Sequence, residues 1–147
     1  MNDAVILVVD DNRDHLELTV MALAECGEAD KIATATDGAE ALDYLTGRGT
    51  FAGDRQPRLP RLVLLDMKLV RMHGLEVLKA IRANPRTSKL PVVMHSSSSE
   101  RSDIAASYAA GANSYVRKAT DYDDMRRKMR QIHDFWLTVN ERFPSSI

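Results

Sequence analysis

The stretch Ala4–Asn12, AVILVVDDN, sets a run of apolar residues directly before two aspartates. A short, continuous apolar run rich in β-branched residues is typical of a strand that is buried on both faces of a parallel sheet. Asn12 is a suitable N-cap for a helix that begins just after it. The stretch therefore predicts a strand, a short acidic connection and a helix.

Similar apolar runs recur along the chain and predict four more strands. The apolar pattern is weakest in the second strand of the chain, at 31–35. Each run is followed by a segment whose apolar residues fall at helical spacing. Asp37 and Glu40 are spaced almost as in a capping box at the start of the second helix. Pro85 and Gly111 mark where the third and fourth helices end. The further strands are predicted at 31–35, 61–66, 90–96 and 114–118.

Five repeats of strand then helix predict an α/β fold, in which a parallel sheet is covered by helices on both faces. Right-handed crossovers make the fold doubly wound, with the flavodoxin-like strand order 2-1-3-4-5. We expect one domain over residues 1–147, with its core at about 4–135 and a C-terminal helix and tail at about 121–147. The segment 47–60, rich in glycine, proline and charge, predicts an exposed loop.

Composition and charge narrow the classes of function. The net charge of −1 gives no argument for a nucleic-acid or anionic membrane partner, and the basic segment 123–130 fits a solvated helix face. No stretch approaches the ~20 apolar residues of a membrane span. The single cysteine, Cys26, excludes an intrachain disulfide and suits a reducing compartment. We expect a cytoplasmic protein with no nucleic-acid and no membrane partner.

Polar side chains follow four of the five predicted strands. Asp10 and Asp11 end the first strand, and Asp66 ends the third. Ser96 ends the fourth strand and Lys118 ends the fifth. Because the carboxyl ends of parallel strands share one edge of the sheet, these groups are expected to converge. Three neighbouring carboxylates repel one another, and a bound divalent cation would relieve that repulsion. Oxygen ligands from a few carboxylates and waters are well suited to Mg²⁺.

Such a site is suited to phosphoryl transfer, which needs positioning and charge neutralisation more than covalent help from the protein. A carboxylate can be the nucleophile, and the central position of Asp66 favours it for that role. Mg²⁺ and Lys118 would neutralise charge on the phosphoryl oxygens. Ser96 would donate its hydroxyl to one of those oxygens once Asp66 is modified.

With these residues the chain resembles the receiver domain of response regulators, the phosphoacceptor half of two-component signalling. The resemblance covers roughly residues 4–135. The chain is most similar to the single-domain regulators paired with bacterial phytochromes, because of the long loop before strand three, the absence of proline after Lys118 and the aromatic tail HDFWL. The matching residues are the pair Asp10–Asp11, Asp66 after LVLL, Ser96 after PVVMH, Tyr115 within SYVRK, and Lys118.

The resemblance implies that Asp66 accepts a phosphoryl group from a histidine kinase, which could be a bacteriophytochrome. It implies Mg²⁺ bound directly by Asp11, Asp66 and the backbone carbonyl of Lys68, with Asp10 assisting through water. Lys118 would pair with the phosphoryl group.

Switching is also implied by the resemblance. Ser96 would move toward the phosphate, and Tyr115 would change its rotamer with it, so that a local charge event alters a protein-interaction surface. The chain is expected to be a stand-alone receiver without a DNA-binding output domain. It would catalyse only its own phosphorylation and dephosphorylation.

Four positions depart from the family pattern. Val70 and His73 stand where proline and aspartate are usual, which questions the rigidity of that loop. Ala119 replaces the usual proline after Lys118, and since a cis non-proline bond costs ~2.5–4 kcal/mol, we expect a trans bond. His95 stands where an apolar residue is common. It is either a packed histidine at the strand end or a catalytic base.

Other functions remain as alternatives. A degenerate receiver would bind partners without being phosphorylated, although every charged site residue is present. A phosphatase with an aspartyl nucleophile usually has a second acid two positions later, where this chain has Lys68. A flavin-binding fold is disfavoured because the acidic first connection repels phosphate.

The predicted last helix has more apolar residues than can lie on the one face that packs against the sheet. Phe135, Leu137 and Phe143 lie outside that stripe, and exposed apolar patches usually mark interfaces. We expect a homodimer through helix 4, strand 5, helix 5 and the tail, with Phe135, Trp136 and Leu137 in contact. Extra packing within the monomer is the alternative. The inward stripe is predicted to be Met125, Met129, Ile132, Trp136 and Val139.

Overall fold

The computed structural model describes residues 4–28, 31–48 and 59–144. Most of the predicted loop at 47–60 lies outside the described residues. Within those ranges the chain forms five strands and five α-helices that alternate in sequence. The strands are β1 (Ile6–Val9), β2 (Ile32–Ala35), β3 (Leu62–Leu65), β4 (Val92–Ser96) and β5 (Ser114–Arg117). The α-helices are α1 (Arg13–Leu23), α2 (Gly38–Thr46), α3 (Gly74–Ala83), α4 (Arg101–Ala109) and α5 (Tyr122–Asp134).

The five strands form one parallel sheet in the order β2-β1-β3-β4-β5, which confirms the predicted fold class and strand order. Val9 at the end of β1 pairs with Ala35 on one side and with Leu65 on the other. On β4, Met94 pairs with Leu65 and with Tyr115. The strands therefore end at one common edge of the sheet.

The central strands β1, β3 and β4 are buried at every position, because helices cover both of their faces. Alternate strand residues enter two separate cores. Leu7 and Val9 pack toward α2 and α3, whereas Ile6 and Val8 pack toward α1 and α5. The continuous apolar runs of the sequence are thus explained by burial on two sides.

The predicted helix boundaries are confirmed by N-cap hydrogen bonds where α1 and α2 begin and by the positions where α3 and α4 end. Asn12 caps α1 by accepting from the amide of His15, and Asp37 caps α2 by accepting from the amide of Glu40 at 2.8 Å. Glu40 reaches back to the amide of Thr36, one residue earlier than in a standard capping box. Helix α3 ends before Pro85, and Gly111 follows α4 with a φ of 107°.

The C-terminal end of α5 differs from the prediction. A π-helical turn, Phe135–Val139, continues α5, and the amide of Asn140 donates to the carbonyl of Phe135. The wider turn rotates the following side chains relative to a regular helix. Leu137 is therefore buried at 6% exposure, whereas Val139 is 64% exposed, so the predicted inward position of Val139 is wrong. Met125, Met129 and Ile132 are buried as predicted.

In the part of the chain that the structure describes, every helix is too short or too polar to span a bilayer.

Candidate functional site

The acidic residues lie where β1 and β3 end, and main-chain hydrogen bonds fix their positions. The amide of Asp10 donates to the carbonyl of Ala35, and the amide of Asp66 donates to the carbonyl of Val9. Each aspartate thus continues the sheet by one residue before its chain turns away. The two carboxyl groups are held by the best-packed strands of the fold, as a precise site requires.

Asp10, Asp11 and Asp66 form a single acidic cluster, as the sequence predicts. One carboxylate oxygen from each lies within 4.8 Å of the others. Asp10 and Asp66 are buried, and Asp11 is half-buried at the mouth of the cluster. Hard oxygen donors at this spacing fit Mg²⁺ or a similar divalent cation.

Lys118 joins the cluster from the end of β5. Its amide donates to the carbonyl of Ser96, and its ammonium Nζ lies 3.1 Å from Oδ2 of Asp66. The same Nζ lies 3.1 Å from Oδ2 of Asp10. One positive charge is therefore shared between two buried carboxylates.

The pKa values of the two buried carboxyl groups are shifted in opposite directions. Burial alone would raise the pKa of Asp10, but hydrogen bonds from the His15 side chain and the Asn12 amide, together with Lys118, lower it to about 2. Burial raises the pKa of Asp66, and the charge of Asp10 adds to this rise against the opposing effect of Lys118. The pocket thus holds Asp10 firmly ionised and leaves Asp66 short of compensating charge.

His15 is part of the pocket, although sequence reasoning did not single it out. His15 lies in the first turn of α1, and its ring nitrogen Nδ1 is 2.6 Å from Oδ2 of Asp10. In the sequence, His15 resembles any polar residue on the outer face of an amphipathic helix. The signal that could have found it is its spacing from Asp10, which brings the first helical turn back over the end of β1.

His95 is a packed histidine, as one of the two alternatives expected. It is 3% exposed, and its ring centroid lies 5.4 Å from that of His15. Burial, together with the nearby His15 and Lys118, lowers its pKa to about 3. Within the described residues its Nε2 has no hydrogen-bond partner. Because Nε2 is enclosed and makes no hydrogen bond to Asp66 or any other described residue, the geometry favours packing over catalysis.

The predicted switch residues are connected through a serine that the sequence did not distinguish from its neighbours. The amide of Ser98 donates to Oγ of Ser96 at 3.2 Å, and the hydroxyl of Tyr115 donates to the carbonyl of Ser98 at 2.9 Å. The hydroxyl of Ser98 donates to Asp103 in the first turn of α4 at 2.5 Å. Ser98 is buried, so these three hydrogen bonds hold it in a fixed position between Ser96, Tyr115 and Asp103.

The loop after β3 accommodates its unusual residues. Val70 is exposed, while Nδ1 of His73 accepts from the amide of Leu75 and so caps α3. The amide of Lys68 faces Oδ1 of Asp66 at 3.3 Å. The peptide bond between Lys118 and Ala119 is trans, as expected.

A second concave surface lies away from the acidic cluster, between β5 and the end of α5. It is an open groove of 450 Å³ with a mostly apolar lining. Phe135 is 46% exposed and packs edge-on against Trp136, with ring centroids 4.9 Å apart. The lining residues are Asn113, Ser114, Val116, Lys128, Gln131, Ile132, Phe135 and Trp136.

Comparisons with known proteins agree with this geometry. The family described as response regulator receiver domain matches residues 6–130, so the chain belongs to that family. The probable methanogenesis regulatory protein FilR2 of Methanothrix harundinacea is 37% identical over 136 residues, which cover 92% of this chain and 85% of the relative. Response regulator Rcp1 of Synechocystis is 32% identical over 133 residues, which cover 90% and 88%.

Solved structures give the same result. The phosphorylated cyanobacterial phytochrome response regulator RcpA is 31% identical with a TM-score of 0.86, and the match covers 98% of this chain and 100% of that one. The Mn²⁺-bound form of Rcp1 is 29% identical with a TM-score of 0.85, covering 96% and 99%. These neighbours confirm the resemblance to phytochrome-associated regulators. Receiver domains of this type partner with histidine kinases and bind a divalent cation in an acidic pocket.

Proposed function

We propose that this chain is a phosphoacceptor response regulator in which Asp66 receives a phosphoryl group from a histidine kinase in a Mg²⁺-dependent reaction. The observation that carries the proposal is the position of the Asp66 carboxylate. It is buried at the end of a central strand, 3.1 Å from the ammonium of Lys118 and beside two further carboxylates. The proposal thus assigns the phosphoryl group to one carboxylate of the receiver domain, that of Asp66.

In the proposed transfer, a carboxylate oxygen of Asp66 attacks the phosphorus of a phosphohistidine on the kinase. The new oxygen–phosphorus bond forms as the phosphorus–nitrogen bond breaks, and the electron pair returns to the histidine nitrogen, which takes up a proton. The ammonium of Lys118 moves with the charge and pairs with the phosphoryl oxygens. Since these steps need mainly positioning and neutralisation, no further acid or base from the chain is required.

For the cation, we propose Asp11, Asp66 and the backbone carbonyl of Lys68 as direct ligands, with Asp10 acting through water. A bound cation would supply charge neutralisation for the phosphoryl oxygens. The spacing of the three carboxylates supports this assignment.

The proposed switch begins at Ser96, whose hydroxyl oxygen now accepts from the amide of Ser98. When Ser96 turns to donate to the phosphoryl group, that hydrogen bond is lost. Ser98 then moves, and its two other contacts move with it, one to Tyr115 and one to Asp103 at the start of α4. The surface formed by α4 and β5 is altered as a result.

Intact-mass measurement after incubation with Mg²⁺ and acetyl phosphate tests the acceptor. The unmodified protein should gain one phosphate, and Asp66→Asn should gain none. Asp123→Asn, which changes an exposed aspartate outside the pocket, is the matched control and should behave as the unmodified protein. If the unmodified protein gains nothing at saturating Mg²⁺, the chain is a degenerate receiver that binds partners without phosphorylation.

We infer that the kinase is of the phytochrome type, as the names of RcpA and its neighbours suggest for those proteins. Phosphotransfer from a purified bacterial phytochrome kinase should be much faster than from an unrelated sensor kinase. Equal rates from the two kinases would overturn the assignment of the partner.

We propose the cytoplasm as the location of the protein, since a single cysteine suits a reducing compartment.

We propose a homodimer through α4, β5, α5 and the groove at Phe135 and Trp136. A two-fold axis would place the same apolar surface of each copy against the other, which hides both. Leu137 is buried within the monomer, so the proposed contact does not include it, in contrast to the sequence-based expectation. Light scattering should show a dimer that Phe135→Asp converts to a monomer, while Val70→Asp, at an exposed position in the loop after β3, has no effect. A monomer at high micromolar concentration, with or without a phosphoryl mimic, would contradict the dimer.

A further inference from the structure

His15 lies in the pocket, yet the proposed phosphotransfer does not use it. Nδ1 of His15 lies 2.6 Å from Oδ2 of Asp10, and because a carboxylate oxygen accepts, the ring nitrogen is the donor in this contact. Lys118 contacts this same oxygen at 3.1 Å. Asp10 therefore has two side-chain donors on one oxygen.

The other contacts of Asp10 show what His15 adds. Oδ1 of Asp10 accepts from the amide of Asn12 at 3.0 Å, which leaves Oδ2 to His15 and Lys118. Lys118 is the only one of these donors that also contacts Asp66. Removing a charged partner from a buried carboxylate is strongly unfavourable. With His15 in place, Oδ2 keeps a donor when Lys118 moves away.

The position of His15 is fixed from three sides. Its amide donates to the side chain of Asn12, and its carbonyl accepts from the hydroxyl of Thr19. Its ring lies against the ring of His95, which is buried in β4 directly before Ser96. The donor on Nδ1 is thus preorganised toward Asp10.

His15 lies outside the candidate cation site. Among the described residues, only Asp10, Asp11 and Asp66 bring three ligand atoms within 4.8 Å of one another. The ring acts on the pocket through Asp10 and not through the cation or the acceptor oxygen.

We propose that His15 is a positioning residue for phosphoryl transfer, which holds Asp10 so that Lys118 is free to move from its shared position to the incoming phosphoryl oxygens. The inference rests on the proposed function of Asp66. It predicts that loss of the Nδ1 donor slows the transfer step itself, because Lys118 then remains bound to Asp10.

Two amide variants separate the ring nitrogens. In His15→Asn the side-chain N–H lies near the position of Nδ1 and can donate to Asp10, whereas in His15→Gln it lies near the position of Nε2 and cannot. With acetyl phosphate as donor, the maximal rate of phosphorylation should fall about tenfold in His15→Gln, corresponding to about 1.4 kcal/mol. It should stay within about twofold in His15→Asn. The Mg²⁺ concentration for half-maximal rate should be the same in both.

Nitrogen NMR of the histidine side chains gives a readout that does not depend on activity. In the unmodified protein without donor, His15 should show a proton on Nδ1; a proton on Nε2 alone would overturn the proposal even if the variants do not fold. Equal maximal rates in His15→Gln and the unmodified protein would also overturn it. If the unmodified protein accepts no phosphate, the proposed function of Asp66 fails first, and the NMR result still decides whether His15 holds Asp10.

Discussion

Strands β1, β3 and β4 and the side of the molecule formed by β5 and α4 are packed differently. Every residue of the three central strands is buried, whereas no residue of β5 is fully buried and Ser107 is the only buried residue of α4. Asp10, Asp66 and Ser96 stand on or directly after the central strands. Lys118 and Tyr115, which must move in the proposed switch, belong to the less buried side. The proposed acceptor is thus held in place by packing, and the groups that move in the proposed switch lie on the less buried side.

Gly74→Ala should give the largest effect, because it perturbs the packed side directly beneath the acceptor. A Cβ at this position would lie 2.3 Å from the carbonyl oxygen of Asp66 and 2.7 Å from Cα of Met67, so the main chain must shift. We expect a loss of about 3 kcal/mol in the free energy of unfolding, measured in urea, and slower phosphorylation of Asp66.

Gly27→Ala is the matched control for Gly74→Ala. Gly27 has a φ of 103° but nothing within 4 Å of its added Cβ, so the substitution introduces backbone strain without a clash. Its loss should be about 1–2 kcal/mol, with unchanged phosphorylation. Equal losses in the two variants would show that the approach to Asp66 is not tight.

Arg82→Met tests the connection between the two sides. The guanidinium of Arg82 donates to the carbonyls of Gly111, Ser88 and Leu90 and to the side chain of Asn113. Methionine keeps the apolar stem and removes all four bonds, so we expect a loss of about 2 kcal/mol and faster amide exchange in β5.

Arg126→Met provides the comparison for an arginine on the surface. Its pairs with Glu25 and Asp123 are solvent-exposed, and such pairs contribute about 0–1 kcal/mol. Similar destabilisation in the two arginine variants would contradict a special role for Arg82.

His95 predicts a dependence of stability on pH. It is enclosed by β4 and faces His15, Lys118, Asp10 and Lys128, and its pKa in the folded protein is about 3 against an ordinary value of 6.5. Below pH 6.5 the unfolded chain binds a proton that the folded protein does not, so stability is lost as the pH falls from about 6.5 toward 3, approaching about 1.4 kcal/mol per pH unit. Urea unfolding at pH 7 and 5 should show this loss, and His95→Leu should reduce it. An unchanged slope in the variant would contradict the prediction.

Ser98→Ala should give the smallest effect on overall stability and a local effect on α4. Ser98 links Asp103 and the amide of Glu100, and losing these bonds should cost about 1 kcal/mol. Hydrogen exchange should speed up in the first turn of α4 and not in β1 or β3. Ser99→Ala, at an exposed position, is the control and should leave exchange unchanged. Uniform acceleration across the sheet would show that the two sides are not independent.

The fold and the acidic cluster could be predicted because their signals are local in sequence. An apolar run followed by a polar residue defines both a strand and the edge where that strand ends, as at Val9–Asp10 and Leu65–Asp66. Once the strand order was known, the convergence of these ends followed without any side-chain detail.

The contacts that were missed depend on three-dimensional neighbours. Nothing in the sequence distinguishes Ser98 from the other serines of SSSSE; its burial is set by Tyr115 and Asp103. The widened turn after α5 is stabilised by Arg61, which directly precedes β3 and whose guanidinium donates to the carbonyl of Leu137, 76 residues later in the chain. Such pairings between distant segments have no periodic signature.

The shared contact of Lys118 with Asp10 and Asp66 joins residues from the first, third and last strands of the sheet. No fragment that lacks β5 contains the ammonium, and no fragment that lacks β1 contains both of its partners. During synthesis, the emerging polypeptide therefore lacks the proposed phosphoryl-transfer site until β5 has left the ribosome and joined the sheet. On the proposed function, competence to accept a phosphoryl group arises together with the completed tertiary structure and not before it.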